Sequence, residues 1–201
     1  MIRNIIFDFG AVLVDWNPRY VFDPYFQDDL VREDYFLRHV CNPEWNAQMD
    51  AGKPFQTAVE ERIAIFPEWA KEIRMYKDEW MGMMGEAIPG MYELVLALKQ
   101  RGYGLYGLTN WSSETFYKVE PQYPVFGLLD GKVVSGDVLL LKPDARIYRC
   151  LLDKFSLRAD ECLFIDDNPA NTAGADAVGI RGLLFEDAPA LARSLRGMGL
   201  L

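Results

Sequence analysis

The sequence is poor in the residues that build thiolate metal sites, disulfide frameworks and histidine-based catalysis. Its 201 residues include one histidine and three cysteines. His39 lies in an apolar, helix-like segment, where we expect a structural role. Cys41, Cys150 and Cys162 show no metal-ligand spacing and are odd in number, so we interpret them as reduced, mostly buried thiols.

Long apolar runs are also missing. No segment approaches the roughly 20 apolar residues of a membrane span. The apolar stretch in the N-terminal MIRNIIFDFG is too short, and too soon followed by charge, for a signal peptide. We therefore expect a soluble, cytoplasmic protein without a membrane partner.

Positive charge is scarce as well. Lys and Arg number 21 against 30 Asp and Glu, which gives a net charge of −9. This balance argues against a nucleic-acid partner. If such an acidic protein binds an anion, it needs local positive potential, which a divalent cation and a well-placed lysine can supply.

What is present is an alternation of strands and helices from residue 88 onward. PGMYELVLALKQRG and PDARIYRCLLDKF have helical apolar stripes, the second with Pro143 in its first turn, and YGLYGL and CLFID are typical of buried strands. Such alternation predicts a parallel sheet, which the strand at residues 2–7 must join. Residues 16–86 show amphipathic helical segments and no strand pattern. We predict an α/β protein with a Rossmann-like core (1–15 and 87–201) and an all-helical cap inserted after the first strand (16–86).

Three of the apolar runs end on side chains that can do chemistry. IIF precedes Asp8, YGLYGL precedes Thr109 and Asn110, and CLFI precedes Asp166 and Asp167. Ligands of open α/β sheets bind beyond the carboxyl ends of the strands. The sequence therefore predicts one site that gathers carboxylates, a hydroxyl and an amide.

Each of these residues also has an ordinary structural interpretation. Asp8 could open a turn, Thr-Asn is common in loops, and Asp167 could cap the following helix. Two adjacent carboxylates at the end of an apolar strand repel each other, however, and a hard cation offsets that cost. Lys142 is held extended by the proline after it and could neutralise a nucleophile and an anion together.

The motifs in combination resemble those of the haloacid dehalogenase superfamily. They are Asp8 in a strand-Asp-x-Gly pattern, Thr109-Asn110 after a strand, Lys142-Pro143, and FIDDNPANTAG around Asp166-Asp167. Within the superfamily, the whole chain resembles the phosphatase branch that includes the α-D-glucose-1-phosphate phosphatases. The helical insertion corresponds to that branch's C1-type cap.

The resemblance implies hydrolysis of a small organic phosphomonoester, such as a sugar phosphate, with Mg²⁺ as cofactor. Asp8 would be the nucleophile that forms an aspartyl-phosphate, and Lys142 would balance its charge and that of the substrate. Thr109 and Asn110 would bind the phosphoryl oxygens. Trp111, Trp16 and Trp45 could form the apolar wall of a substrate pocket between cap and core, although buried packing is the default for such residues.

The resemblance also implies a metal site made of oxygen ligands. Asp8, Asp167 and the backbone carbonyl of Gly10 would bind Mg²⁺, with Asp166 in the same shell or one water away. Most phosphatases of the superfamily have an aspartate at position 10 that acts as general acid, a role worth about 10²–10⁴-fold. Gly10 has no side-chain carboxyl, so this general acid is missing here.

The missing acid leaves several candidates open. Asp15 lies five residues after Gly10, and Glu44, Asp50 or a water molecule could serve instead. For Asp15, a structural role at the end of a turn is an equal alternative.

Two other functions are alternatives for this sequence. A 2-haloacid dehalogenase would use the same fold and an aspartate nucleophile without metal. The dehalogenase family has Asp-x-Tyr at the first motif and Ser-Ser-Asn at the last, whereas this chain has Asp-Phe-Gly and Asp-Asp-Asn. A non-catalytic binding protein is supported only by Gly10. The identity of the substrate and the oligomeric state are not predicted.

Overall fold

The computed structural model describes residues 1–27 and 29–201. Five of its strands form one parallel sheet in the order β5-β4-β1-β6-β7, and β2 and β3 form a separate antiparallel pair. The strands are β1 Asn4–Phe7, β2 Val14–Trp16, β3 Met84–Ala87, β4 Gly104–Thr109, β5 Gly131–Val134, β6 Cys162–Asp166 and β7 Arg181–Leu184.

Helices follow most of these strands along the chain. They are α1 Arg19–Phe26, α2 Leu30–Tyr35, α3 Pro43–Asp50, α4 Phe55–Ile65, α5 Ala70–Asp78, α6 Met91–Gln100, α7 Ser113–Val119, α8 Ser135–Val138, α9 Ala145–Phe155, α10 Pro169–Asp176 and α11 Ala188–Gly197, with a π-helical turn at Phe36–Val40 and short 3₁₀ turns elsewhere.

Apolar residues cover both faces of the parallel sheet. Successive residues of β1 point to opposite sides, so Ile5 and Phe7 belong to one apolar cluster and Ile6 to another. The first cluster includes α6 and α11, and the second includes the buried face of α9. All five residues of β6 are buried, as expected of a strand covered on both sides. The predicted α/β class with a Rossmann-like parallel core is confirmed.

The segment between β2 and β3 holds α1 to α5, which agrees with an inserted helical cap. Its ends differ from the prediction, because Val14–Trp16 pairs with Met84–Ala87 as a short antiparallel ribbon. The expectation of no strand within 16–86 was therefore wrong at both edges of that range. Strands this short, joined across about seventy residues, leave no periodic signal in the sequence. The boundaries of the core and the cap remain a prediction.

Pro143 also differs from its predicted place in the first turn of a helix. Asp144 is the N-cap of α9, and its side chain accepts a hydrogen bond from the amide of Arg146, so Pro143 precedes the helix. The three cysteines form no disulfide, and Cys41 and Cys162 are buried. Among the described residues, no helix combines the length and the apolar character needed to span a bilayer.

Glu33, on α2 of the cap, is a buried carboxylate whose ionisation opposes folding. Its side chain is fully buried beside Arg19, 3.0 Å away, and among the described residues its Oε2 has no hydrogen-bond partner. Burial, reinforced by the nearby Asp23, raises its pKa from 4.5 to about 7, although Arg19 opposes this. The folded state binds the proton of the Glu33 carboxyl more tightly than the unfolded state does. This tighter binding contributes fully to the free energy of unfolding below pH 4.5, and the contribution is lost as the pH rises through 7.

In wild type, the free energy of unfolding should fall between pH 5 and pH 8 as Glu33 ionises. We expect Glu33→Gln to make this fall smaller by about 1–3 kcal/mol. Urea unfolding across that range measures it, with Glu60→Gln, an exposed glutamate of α4, as the control. An unchanged slope in Glu33→Gln would show that Glu33 stays ionised throughout.

Candidate active site

The carboxyl ends of the three central strands meet at one edge of the sheet. Asp8 follows β1, Thr109 ends β4 and Asp166 ends β6. The amide of Asp8 donates to the carbonyl of Ile165, 2.9 Å away, which keeps β1 and β6 together up to this edge. Asp8, Asp166 and Asp167 each place a carboxylate oxygen within 4.8 Å of the other two. The strand ends thus converge as the sequence predicts.

Lys142 lies between two of these carboxylates. Its Nζ is 2.8 Å from Asp8 Oδ1 and 2.7 Å from Asp166 Oδ2. Only 1% of the lysine side chain is exposed, so its charge acts on the site and is little screened by solvent. One ammonium among three carboxylates leaves the cluster negative, and an anionic ligand would need further positive charge there.

Asp8 has one oxygen engaged and one available. Its Oδ1 accepts hydrogen bonds from the amide of Phe9, at 2.7 Å, and from Lys142. Within residues 1–27 and 29–201, no donor contacts Oδ2. Burial raises the pKa of Asp8 to about 6, with Lys142 opposing the shift and Asp166 adding to it. A cation bound at the cluster would favour the ionised carboxylate.

Asp166 and Asp167 differ sharply in their surroundings. Asp166 is fully buried, and its Oδ1 accepts from the amide of Asn168 at 2.8 Å and from Asn171 Nδ2 at 3.0 Å. Its Oδ2 accepts from Lys142 and, at 3.1 Å, from Asn171 Nδ2. Asp167 is exposed as a residue, and the partial loss of water around its carboxyl, together with the charge of Asp166, raises its pKa. Asn168 caps α10, so neither aspartate caps that helix.

Asn171 was not predicted from the sequence as a site residue. It lies in the first turn of α10, buried, and its amide group contacts both oxygens of Asp166. It holds the carboxylate that in turn holds Lys142. A lone amide among the small residues of PANTAGAD was the available signal.

Thr109 and Asn110 reach the same edge, but the side chain of Asn110 is already engaged. Its Oδ1 accepts from the Lys142 amide at 2.8 Å, and its Nδ2 donates to the Lys142 carbonyl at 3.0 Å. Asn110 therefore positions the backbone of Lys142, and its backbone amide and the second N–H of Nδ2 are the donors left for an anion. Thr109 is buried at the strand end beside it.

Nine residues from the core and the cap line a cavity of about 150 Å³ at this edge: Asp8, Gly10, Trp16, Asn46, Asp50, Trp80, Thr109, Asn110 and Trp111. The indole of Trp80 lies between those of Trp16 and Trp111, with ring centroids 6.4 and 5.8 Å away. Trp16 and Trp111 thus fall where the sequence predicts an apolar wall. Trp45 is buried inside the cap instead, and Trp80 takes the third place. A wider cleft of about 750 Å³ lies at the opposite end of the sheet, and neither the three clustered aspartates nor Lys142 lines it.

Of the candidate acids, Asp50 lies in the cavity and Asp15 does not. Asp15 precedes Trp16 on β2, so their side chains point to opposite faces of the ribbon. Its carboxylate accepts a hydrogen bond from the Tyr20 hydroxyl outside the cavity lining. Glu44 and His39 are exposed on the cap and do not line the cavity either.

The profile of haloacid dehalogenase-like hydrolases matches residues 2–179. The chain belongs to that family. It is a hydrolase, and the resemblance inferred from its motifs is confirmed at the level of the family.

Two curated relatives that match most of the chain are phosphatases. The sesquiterpene phosphatase astK of Aspergillus oryzae is 27% identical over 200 residues, which cover 96% of this chain and 95% of the relative. The D-ribitol-5-phosphate phosphatase of Bacteroides thetaiotaomicron is 25% identical over 180 residues, covering 85% of each.

A solved structure shares the fold over nearly its whole length. It is a haloacid dehalogenase family enzyme of Bacteroides thetaiotaomicron in complex with magnesium and inorganic phosphate. Its TM-score is 0.70 at 19% identity, and the match covers 93% of this chain and 96% of that chain. Similarity at this identity shows the fold alone.

Proposed function

We propose that this protein is a Mg²⁺-dependent phosphatase that hydrolyses a small organic phosphomonoester through an aspartyl-phosphate on Asp8. The observation that carries the proposal is the buried Lys142, which bridges Asp8 and Asp166 beside the third carboxylate, Asp167. A lysine-paired aspartate with one available oxygen supports a nucleophile that works next to a polyanion.

The donor set suits Mg²⁺. Among the described residues, three carboxylates converge there without nitrogen or sulfur ligands, and one of them, Asp167, is exposed. We infer that Asp8, Asp167 and the carbonyl of Gly10 hold the ion. Because both oxygens of Asp166 already accept hydrogen bonds, we place it one water away. The bound cation would supply charge neutralisation for the phosphate and for Asp8.

The other residues take roles that follow from their places. Lys142 stabilises the carboxylate of Asp8 and the charge that develops on the phosphoryl oxygens. The hydroxyl of Thr109 and the backbone amide of Asn110, both at the end of β4, would donate to those oxygens. The cap residues over the cavity exclude water from the nucleophile and leave room for a small leaving group.

The experiment that tests the proposal compares two reactions. We expect turnover of p-nitrophenyl phosphate with Mg²⁺, loss of that turnover with EDTA, and recovery on adding Mg²⁺ back. Chloride release from 2-chloropropionate without metal would favour a dehalogenase instead, and inactivity in both assays would favour a binding protein. A panel of sugar, polyol and prenyl phosphates would then identify the substrate class.

We expect Asp167→Asn to raise the Mg²⁺ concentration for half-maximal activity by about 100-fold. Loss of a group that merely supports a metal ligand costs about 10–100-fold in metal affinity, and loss of a ligand should cost at least as much. Magnesium titrations measure the effect, with Asp153→Asn, an exposed aspartate of α9, as the control. An unchanged titration would remove Asp167 from the metal site.

A further inference from the structure

The cavity lacks an acid where the family's phosphatases keep one. A Cβ atom built on Gly10 would meet no heavy atom within 4 Å, so this position has no side chain and there is free space for one. Among the described residues that line the cavity, the only carboxyl groups are those of Asp8 and Asp50. If Asp8 attacks phosphorus, Asp50 is the remaining side chain of that cavity able to give a proton to the leaving oxygen.

We propose that Asp50, supplied by the cap, is the general acid of this enzyme. The inference rests on the proposed phosphatase function. It assigns the role to the last residue of α3, which lines the same cavity as Gly10.

The structure holds Asp50 over the core by two sets of contacts. Its Oδ2 accepts from Asn46 Nδ2 at 3.0 Å, and the buried Tyr76 donates to Asn46 Oδ1 at 3.3 Å, which orients the amide. Its backbone carbonyl accepts from the buried hydroxyl of Ser135 at 2.6 Å. That hydroxyl also accepts from the amide of Trp111 at 2.8 Å. Ser135 thus ties the end of the cap helix to the core.

The two carboxyl groups of the cavity have opposite partners. Asp8 is paired with an ammonium, whereas Asp50 contacts a neutral amide and, in the described part of the chain, forms no ion pair with a lysine or arginine. Burial raises the pKa of Asp50 to about 7, and the charge of Asp8 adds to the shift, although hydrogen bonds from the backbone of Ser112 and from Asn46 oppose it. One carboxyl group paired with an ammonium beside another that has no cationic partner is the contrast expected of a nucleophile and an acid.

The resulting steps balance. An oxygen of Asp8 forms a bond to phosphorus while the bond between phosphorus and the ester oxygen breaks and leaves its electron pair on that oxygen. Asp50 gives its proton to the oxygen, so that a neutral alcohol departs and Asp50 becomes a carboxylate. Asp50 then takes a proton from the water that attacks phosphorus, which releases inorganic phosphate and restores the carboxylate of Asp8.

A pair of substrates of similar shape tests the assignment. p-Nitrophenolate leaves without a proton, whereas the more basic phenolate needs one. We expect Asp50→Asn to lower kcat/KM for phenyl phosphate by about 10²–10⁴-fold and for p-nitrophenyl phosphate by less than about 10-fold. Glu44→Gln, an exposed carboxyl on the same helix, should change neither.

A second variant tests whether the loss of activity in Asp50→Asn comes from a missing acid or from a disturbed structure. Because the space at Gly10 is open, Gly10→Asp added to Asp50→Asn should restore turnover of phenyl phosphate. Equal losses on both substrates, no loss on either, or the same selective loss in Asp15→Asn would overturn the role of Asp50. These outcomes leave the phosphatase proposal intact, because hydrolysis of p-nitrophenyl phosphate by the wild type tests that proposal separately.

Discussion

Replacing Asp8 with asparagine is expected to lower kcat for p-nitrophenyl phosphate by about 10⁴- to 10⁶-fold, the range seen when a catalytic nucleophile or its base is removed. The side chain keeps its shape and loses the attacking carboxylate oxygen. Steady-state rates with saturating Mg²⁺ measure the effect. Residual activity within about 10-fold of wild type would rule out Asp8 as the nucleophile.

The same variant should remain folded, which separates a catalytic defect from an unfolded protein. Burial of the Asp8 charge is unfavourable, since it raises the pKa of that carboxyl to about 6. Asparagine removes this cost together with the ion pair to Lys142. We therefore expect a melting temperature close to that of wild type, measured in the preparation used for the kinetics.

The second large effect is expected for Lys142→Met, on both stability and rate. The substitution leaves the buried Asp8 and Asp166 without their cation. Removing one partner of a buried ion pair costs about 3–5 kcal/mol. Loss of one fixed positive charge at a reacting centre lowers kcat by about 10²–10³-fold. Urea unfolding at neutral pH and assays of p-nitrophenyl phosphate measure the two effects.

A double variant shows whether the loss of stability comes from the uncompensated charge. Lys142→Met combined with Asp166→Asn removes both members of one pair, and it should recover most of the lost stability while activity stays low. Lys142→Met alone unfolding within about 1 kcal/mol of wild type would mean that the lysine contributes little to the cluster. Full activity in either variant would exclude Lys142 from the reaction.

The fold could be predicted from the sequence because its core elements are strongly patterned. β6 is a continuous apolar run, and α6 and α9 show helical stripes next to clear turn residues. The ribbon of β2 and β3 could not be predicted, since each strand has three or four residues and its partner is distant in the chain. Tertiary pairing, which leaves no local pattern, decides such strands.

The site was predictable as a set of strand ends and less so as a set of roles. Order along the chain places Asp8 and Asp166 at one sheet edge, but it treats Asp166 and Asp167 alike. The fold separates them by burying one against Lys142 and exposing the other. Asn110 is a similar case, because only the three-dimensional contact shows its amide bound to the backbone of Lys142.

The choice of acid shows the same limit. Proximity in sequence favours Asp15 over Asp50, yet the alternation of β2 turns Asp15 away from the cavity. Asp50 comes to the cavity only because the cap packs on the core, where the Asp50 carbonyl accepts a hydrogen bond from Ser135. Contacts between distant segments cannot be read from spacing in one chain.

The most direct test of the central claim is to detect the phosphoryl group on the enzyme during turnover. Wild type is mixed with p-nitrophenyl phosphate and Mg²⁺, quenched in acid within one turnover, digested and analysed by mass spectrometry. We predict one phosphoryl group on the peptide that contains Asp8, and none in Asp8→Asn. Phosphate release with the label on another residue, or with no phosphoryl-enzyme on any peptide at any quench time, would contradict it.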